Sequence, residues 1–175
     1  MSSGENTLNT LKTVIIKDCR DWDDLPTAAQ EKEADTYILD LSRVSVRDCI
    51  GCWACWLKTP GRCVQKDLDD FYHAFFRADR AVFLVQESCG FVSGNLKTLL
   101  DRMIVSALPY IEYTSGEAMH VARYDKTPLI EIYYQDTFSS NEDRKLFIDY
   151  FKRVCVQFHW KIKCIGTISE YKEGR

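Results

Sequence analysis

No apolar run in this 175-residue chain approaches the ~20 residues that a membrane-crossing helix needs. Residues 1–10 are polar and carry no apolar signal region, so the expected location is the cytoplasm. Basic excess is missing too: 23 lysines and arginines against 26 aspartates and glutamates leave a net charge of −3. Binding a phosphate backbone needs a cationic footprint, so nucleic acid is not an expected partner. Internal repeats, low-complexity tracts and a linker are also absent, which leaves a single domain over 1–175 as the expectation.

Cysteine, by contrast, is plentiful. There are eight, and four crowd into Cys49-Ile-Gly-Cys52-Trp-Ala-Cys55-Trp-Leu-Lys-Thr-Pro-Gly-Arg-Cys63. In a reducing compartment such residues read as thiols or metal ligands; in a secreted chain, paired disulfides would be the better reading. Two C-x₂-C steps followed by C-x₇-C bring four thiolates within reach of one centre, and Gly51 and the Pro60-Gly61 turn let the backbone fold tightly around it. Soft ligands of this number suit an iron–sulfur cluster or tetrahedral zinc, and uncoordinated thiols or a reversible disulfide fit the same spacing.

Short β-branched and aromatic runs at 13–17, 36–40, 81–85, 129–134 and 161–165 predict five strands. Apolar residues at three- and four-residue spacing predict helices between them. One is capped by Ser93 and presents Leu96, Leu99, Leu100, Met103 and Ile104; one starts near Asp67 and presents Leu68, Phe71 and Phe75. Another follows the capping-box pattern Ser139-Ser-Asn-Glu142, with a stripe from Leu146 through Phe147, Phe151 and Cys155 to Phe158. Alternating strands and helices predict a flavodoxin-like α/β sandwich of three layers, a five-stranded parallel sheet in the order 2-1-3-4-5 with helices on both faces. In such sheets ligands sit beyond the carboxyl ends of the strands, here 18–24, 42–66, 86–93 and 135–139. The second of these is long and holds all four clustered cysteines.

Three motifs together resemble the NADPH-dependent FMN reductases of flavodoxin-like fold, and within them the iron–sulfur flavoproteins. They are the cysteine motif with the later Asp69-Asp70, then Ser93-Gly-Asn-Leu-Lys97-x-x-Leu-Asp101-Arg102, then Leu108-Pro-Tyr with Gly116-Glu117, His120 and Arg123-Tyr124-Asp-Lys126. The resemblance implies FMN bound along Gln86, Glu87, Ser88, Cys89, Gly90, Phe91 and Ser93. It also implies a [4Fe–4S] cluster on Cys49, Cys52, Cys55 and Cys63, NAD(P)H or ferredoxin as electron donor, and a homo-oligomer. Flavin chemistry would belong to the cofactor, with the protein supplying orientation and electrostatics.

Two departures from the family's pattern weigh against FMN. Where the family has a Gly-Ser-Pro-Arg-type phosphate loop, this chain continues Lys17-Asp-Cys-Arg-Asp-Trp-Asp-Asp24, with no glycine and four aspartates where a dianion should sit. Gln86 and Glu87 replace the usual proline and apolar residue of the ring-binding loop. The expected functions are therefore an FMN-dependent NAD(P)H oxidoreductase, an iron–sulfur electron carrier, or a non-catalytic scaffold that has lost FMN and pairs with a paralogous flavoprotein. Among lesser candidates, Cys19 and Cys89 fall where they could meet at the ligand edge, and Cys155 and Cys164 read as core. His73 and His159 read as packing or capping, Asp69 and Asp70 as a helix start, and His120 as a candidate ligand or proton donor. Tyr110, Tyr113 and Phe91 are candidates for an interface or for stacking on a ring.

Overall fold

The computed structural model describes residues 13–19 and 36–173. In chain order the elements are β1 (Thr13–Asp18), β2 (Thr36–Asp40), α1 (Ala54–Leu57), α2 (Asp69–Phe75), β3 (Arg80–Val85), β4 (Glu87–Ser88), β5 (Phe91–Val92) and α3 (Gly94–Arg102). There follow β6 (Ala107–Thr114), β7 (Glu117–Ala122), β8 (Leu129–Tyr134), α4 (Asn141–Gln157), β9 (Lys161–Thr167) and α5 (Ile168–Glu173). The five long strands pair in parallel as β2-β1-β3-β8-β9. Counted as the five strands of that sheet, this is the 2-1-3-4-5 order of a flavodoxin-like fold, as the alternation of patterns predicts.

A two-residue period divides the strands between two cores. Val14, Ile16, Phe83 and Ile132 point to one face, where Phe71 and Phe75 of α2, Leu96 and Leu99 of α3, and Phe147 and Phe151 of α4 cover them. Ile15, Val82 and Leu84 point to the other, packed with Ile168 and Tyr171 of α5. Strands covered on both sides show the near-continuous apolar runs of a parallel sheet. Truncating a fully buried ring such as Phe75 or Phe147 would cost about 3–5 kcal/mol.

Caps fix where the helices begin. The Ser93 hydroxyl accepts the Leu96 N–H at 3.1 Å and opens α3, as expected. On α4 the expected box is displaced by one residue: Ser140, not Ser139, accepts from the Asp143 N–H at 3.0 Å and donates to the Asp143 carboxylate at 2.8 Å. Leu146 is exposed rather than part of the buried stripe, because the inward row runs Phe147, Phe151, Cys155 at four-residue spacing. Two short antiparallel hairpins, β4–β5 and β6–β7, were not among the expected strands. Their turns use left-handed residues, Cys89 with Gly90 and Ser115 with Gly116.

Three charged side chains of the described sheet strands are buried, Lys17 and Asp18 on β1 and Glu131 on β8. Glu131 on β8 is buried and receives Arg80 in a two-pronged bond, at 2.8 and 2.9 Å, with Lys163 at 2.9 Å. Burial works to raise its pKa, but the bonds from Arg80 and Lys163 hold it below the ordinary carboxylate range. A lowered folded pKa gives stability above the unfolded value of about 4.3 and loses it as pH falls through the folded one. Glu131→Gln should therefore destabilise the fold by about 2 kcal/mol at pH 7. Urea unfolding should show the gap between variant and parent closing below about pH 4; a gap that persists there would mean that charge is not its source.

Candidate functional site

The segment after β2 holds the clustered cysteines, and its backbone takes two turns that L side chains resist. Gly51 has φ +62° and Trp53, at the start of α1, has φ +55°. The left-handed region costs a bulky residue about 1–2 kcal/mol. Beyond α1, Gly61 sits at φ +75° where a Cβ would stand 3.0 Å from the Tyr124 hydroxyl and 3.2 Å from Arg123 Cδ, so glycine is required. The Gly61 N–H donates to the Cys55 carbonyl at 2.9 Å, closing the Pro60-Gly61 turn against α1. Arg123, just past β7, donates to the carbonyls of Val105 at 2.9 Å, Ala107 at 3.1 Å and Cys55 at 3.3 Å, tying the β6–β7 hairpin to the same turn.

These bends bring Cys49, Cys52, Cys55 and Cys63 to one chamber of about 300 Å³, closed below by Ile104 and Val105 after α3. Cys55 is buried, Cys63 half-buried, and Cys49 and Cys52 exposed. Burial pushes the Cys55 thiol up, and the charges of Cys63, Cys49 and Cys52 push it the same way. Both effects favour the neutral thiol at Cys55. Among the described residues no group of three or more His, Cys, Asp or Glu side chains is placed to hold a metal ion. Tetrahedral zinc, with Zn–S near 2.3 Å, needs its sulfurs about 4 Å apart, so the described geometry is not that of a closed single-zinc site.

Arg102, the last residue of α3, lines this chamber and is only 1% exposed. Its guanidinium donates to the Arg47 carbonyl at 2.6 Å, the Gln65 carbonyl at 3.2 Å and the Asp67 carboxylate at 2.9 and 3.3 Å. Burial opposes its charge, but the Asp67 bonds and the charges of Tyr72, Cys63 and Asp67 hold its pKa above the ordinary value. The Nε–H has no partner. Asp67 is the converse case: burial would raise it, while the bonds from Arg102 and the Arg47 N–H hold it low. Gln65 also donates to the Asp48 carbonyl at 2.7 Å, and Thr98 of α3 donates to the Asp48 carboxylate at 2.8 Å.

A second pocket, about 320 Å³, opens at the carboxyl edge of β1 and β3. Of the residues expected to bind FMN, Gln86, Glu87, Ser88 and Ser93 line it. Cys89, Gly90 and Phe91 do not: Cys89 and Gly90 form the β4–β5 turn, and Phe91 packs at a tilt against Tyr150 of α4, ring centres 4.6 Å apart. The expected loop is a closed hairpin because the Glu87 carboxylate accepts the Gly90 N–H and the Thr137 hydroxyl. Asp18, Cys19, Leu41, Ser42 and Asn95 complete the pocket; the sequence placed Asp18, Cys19 and Ser42 at the ligand edge and Asn95 in the motif that opens at Ser93, and carried no signal for Leu41.

The pocket is poorly suited to a phosphate dianion. Its described lining contains two carboxylates, Asp18 and Glu87, and no cation. Two of its hydroxyls are engaged: Ser93 donates to Asp18 at 2.7 Å, and Ser42 donates to Asp40 at 2.5 Å. The other oxygen of Asp18 is buried without a hydrogen-bond partner. Lys17 is directed to Asp40, at 3.8 Å. The rest of the expected loop, Arg20 to Asp24 and Thr27, lies outside the described residues.

The lesser candidates separate. Cys19 is buried in the core beneath α5, whereas Cys89 is exposed, and no disulfide joins the described cysteines. Cys155 is core; Cys164 is half-buried and donates to the Tyr133 hydroxyl at 3.2 Å. His120 packs at a tilt against Trp56, with ring centres 4.8 Å apart, lines neither of these two pockets, and has its Nδ1 buried without a partner. His159 bonds the His120 carbonyl at 2.7 Å. Asp69 and Asp70 occupy the first turn of α2, where negative charge suits the helix dipole.

No protein-family model and no curated protein sequence matches this chain. Solved structures do match its fold. Azoreductase AzrA superposes with a TM-score of 0.54 at 12% identity, over 93% of this chain and 90% of its own. An azoreductase from Bacillus anthracis str. Sterne gives 0.52 at 13% identity, over 90% and 85%. An apo NADH:FMN oxidoreductase gives 0.50 at 13% identity, over 94% and 80%. Likeness at such identities establishes the flavodoxin-like fold and leaves the chemistry to the sites.

Burial, opposed by the Ser93 bond, raises the Asp18 pKa from 3.8 to about 6. A raised folded pKa means stability fully present below the unfolded value and lost as pH rises through about 6. A shift of this size corresponds to about 3 kcal/mol. Asp18→Asn keeps an acceptor for Ser93 and removes the charge. Its stability advantage should therefore grow from near zero at pH 4 to about 3 kcal/mol above pH 7, measured by urea unfolding across that range. A difference that does not vary with pH would show that Asp18 does not titrate there.

Proposed function

We propose that this chain is a redox protein of the iron–sulfur flavoprotein type, an electron carrier on a flavodoxin-like scaffold with a [4Fe–4S] cluster held by Cys49, Cys52, Cys55 and Cys63. The observation that carries the reading is the convergence of those four thiols on one chamber. A cluster bound there would supply one-electron transfer. The protein's part is to hold the thiolates, to cover them with Ile104 and Val105, and to leave an apolar rim where a redox partner can approach. That rim is formed by Ile50 and Trp53, exposed at 68% and 52%. NAD(P)H, through a flavin, or a ferredoxin would be the electron source.

The fold likeness to an NADH:FMN oxidoreductase supports a further element, FMN-dependent NAD(P)H oxidoreductase activity of this chain itself. The strand-edge pocket favours a second reading, that the chain is a partner subunit that has lost FMN. Its specific support is Asp18, whose buried, unpartnered oxygen stands where phosphate would need donors. In that reading a paralogous flavoprotein supplies the flavin. The exposed Tyr110, Ile111 and Tyr113 of the β6–β7 hairpin suit such an interface.

A UV–visible spectrum of anaerobically purified protein, with iron and acid-labile sulfide assayed on the same sample, tests the proposal. The expected result is a broad absorbance with roughly equal iron and sulfide, lost in Cys52→Ala and Cys63→Ala. Wild-type protein that stays free of iron and sulfide after anaerobic reconstitution would sink it. Titration with FMN separates the two readings of the pocket: saturable binding supports the oxidoreductase, and no binding supports the partner subunit.

A further inference from the structure

A third cavity, of about 360 Å³, shares no lining residue with the four-thiol chamber or the strand-edge pocket. Its volume falls in the ~300–1,000 Å³ range of small-molecule sites. One wall is α2 with its C-terminal cap, Phe76; the other is the Pro60-Gly61-Arg62 turn and Tyr124, just past β7. Arg62 and Arg77 bring two guanidiniums to it from separate segments, and His73 adds an imidazole. All three side chains are exposed, and none has a hydrogen bond or ion pair to another described residue. Asp69, the one carboxylate of the described lining, is paired with Lys66 at 3.5 Å. A chain of net charge −3 thus gathers a cationic hollow on this face.

The frame that holds these groups is fixed. The Arg62 N–H donates to the Thr59 carbonyl at 2.8 Å, and the Thr59 hydroxyl returns a bond to the Arg62 carbonyl at 2.9 Å. Gly61 leaves the room that Tyr124 occupies, since a Cβ there would stand 3.0 Å from its hydroxyl. Tyr124 and Phe76 pack with ring centres 4.3 Å apart, and Phe76 stacks on Tyr72 at 6.4 Å. Both Phe76 and Tyr124 are half-buried and line the cavity. Paired guanidiniums match the oxygens of a phosphate through parallel N–H bonds, and aromatic faces accept a planar base.

We propose that this cavity binds a mononucleotide, with its phosphate between Arg62 and Arg77 and its base against the Phe76–Tyr124 rings. His73 is a further donor to the phosphate. The inference is independent of the cluster reading, because no residue of the cysteine chamber takes part.

The test is isothermal titration calorimetry of full-length protein at low salt with AMP, GMP, adenosine and inorganic phosphate. Either nucleotide should bind saturably and at least about tenfold more tightly than adenosine or phosphate alone, and should weaken as salt rises. Arg62→Gln and Arg77→Gln are surface changes, and each should lower nucleotide affinity about tenfold with the unfolding midpoint unchanged. Tyr124→Leu should weaken the nucleotides and leave phosphate as it was. No saturable binding of AMP or GMP would overturn the inference, as would nucleotide binding that both arginine variants leave unchanged. Phosphate binding as tightly as AMP would refute the role of the rings; this comparison decides that point if Tyr124→Leu does not fold.

Discussion

The ion pair between buried Arg102 and surface-reaching Asp67 is the contact on which the cysteine site depends. Arg102 ends α3, Asp67 precedes α2, and their two-pronged bond joins the helix beneath the chamber to the chain that leaves it. Carbonyls of Arg47 and Gln65 complete the clamp on either side of the four cysteines. Taking a guanidinium out of water is costly, and breaking such a pair from one side leaves an uncompensated charge, a loss of about 3–5 kcal/mol. The loop is long, but its two ends are not independent: both are fixed to one side chain.

Around that clamp the loop is held by lesser contacts of different kinds. Trp56 donates from its indole to the Ile104 carbonyl at 3.3 Å and carries the Trp53 and His120 rings at 4.7 and 4.8 Å. Arg123 binds three carbonyls from the hairpin side. Left-handed backbone at Gly51, Trp53 and Gly61 produces the sharp bends between these supports. Strain in an aromatic residue persists only where the surroundings over-determine it, and such places cluster at functional sites.

The sheet serves two sites of opposite character. Beyond β1 and β3 the pocket is polar and lined by two carboxylates, with the Ser93 and Ser42 hydroxyls already committed. Beyond β2 the chamber is mostly apolar, thiol-lined and provided with a buried cation. The described lining of the first offers a phosphate no cation, whereas the second gathers four thiols beside a buried guanidinium. A common fold therefore says less about this chain than the contrast between its two edges.

The sequence by itself determined the sheet and the existence of the cysteine site, because both rest on local periodicity and spacing. Alternation of β-branched runs with helical stripes gave five strands and their order, and two C-x₂-C steps around Gly51 marked the loop. Capping was legible to within one residue, since Ser139 and Ser140 offer the same hydroxyl and only the approach of Asp143 chooses between them. The hairpin that closes over Cys89 and Gly90 was not legible, because its lock, Glu87 to Thr137, joins residues 50 apart. Nor could the sequence reveal that Arg102, lining the four-thiol chamber, keeps one N–H unpartnered while Asp18 lies buried with one oxygen lacking a donor. Such facts depend on which polar groups are left over after distant segments pack, and only the tertiary structure decides that.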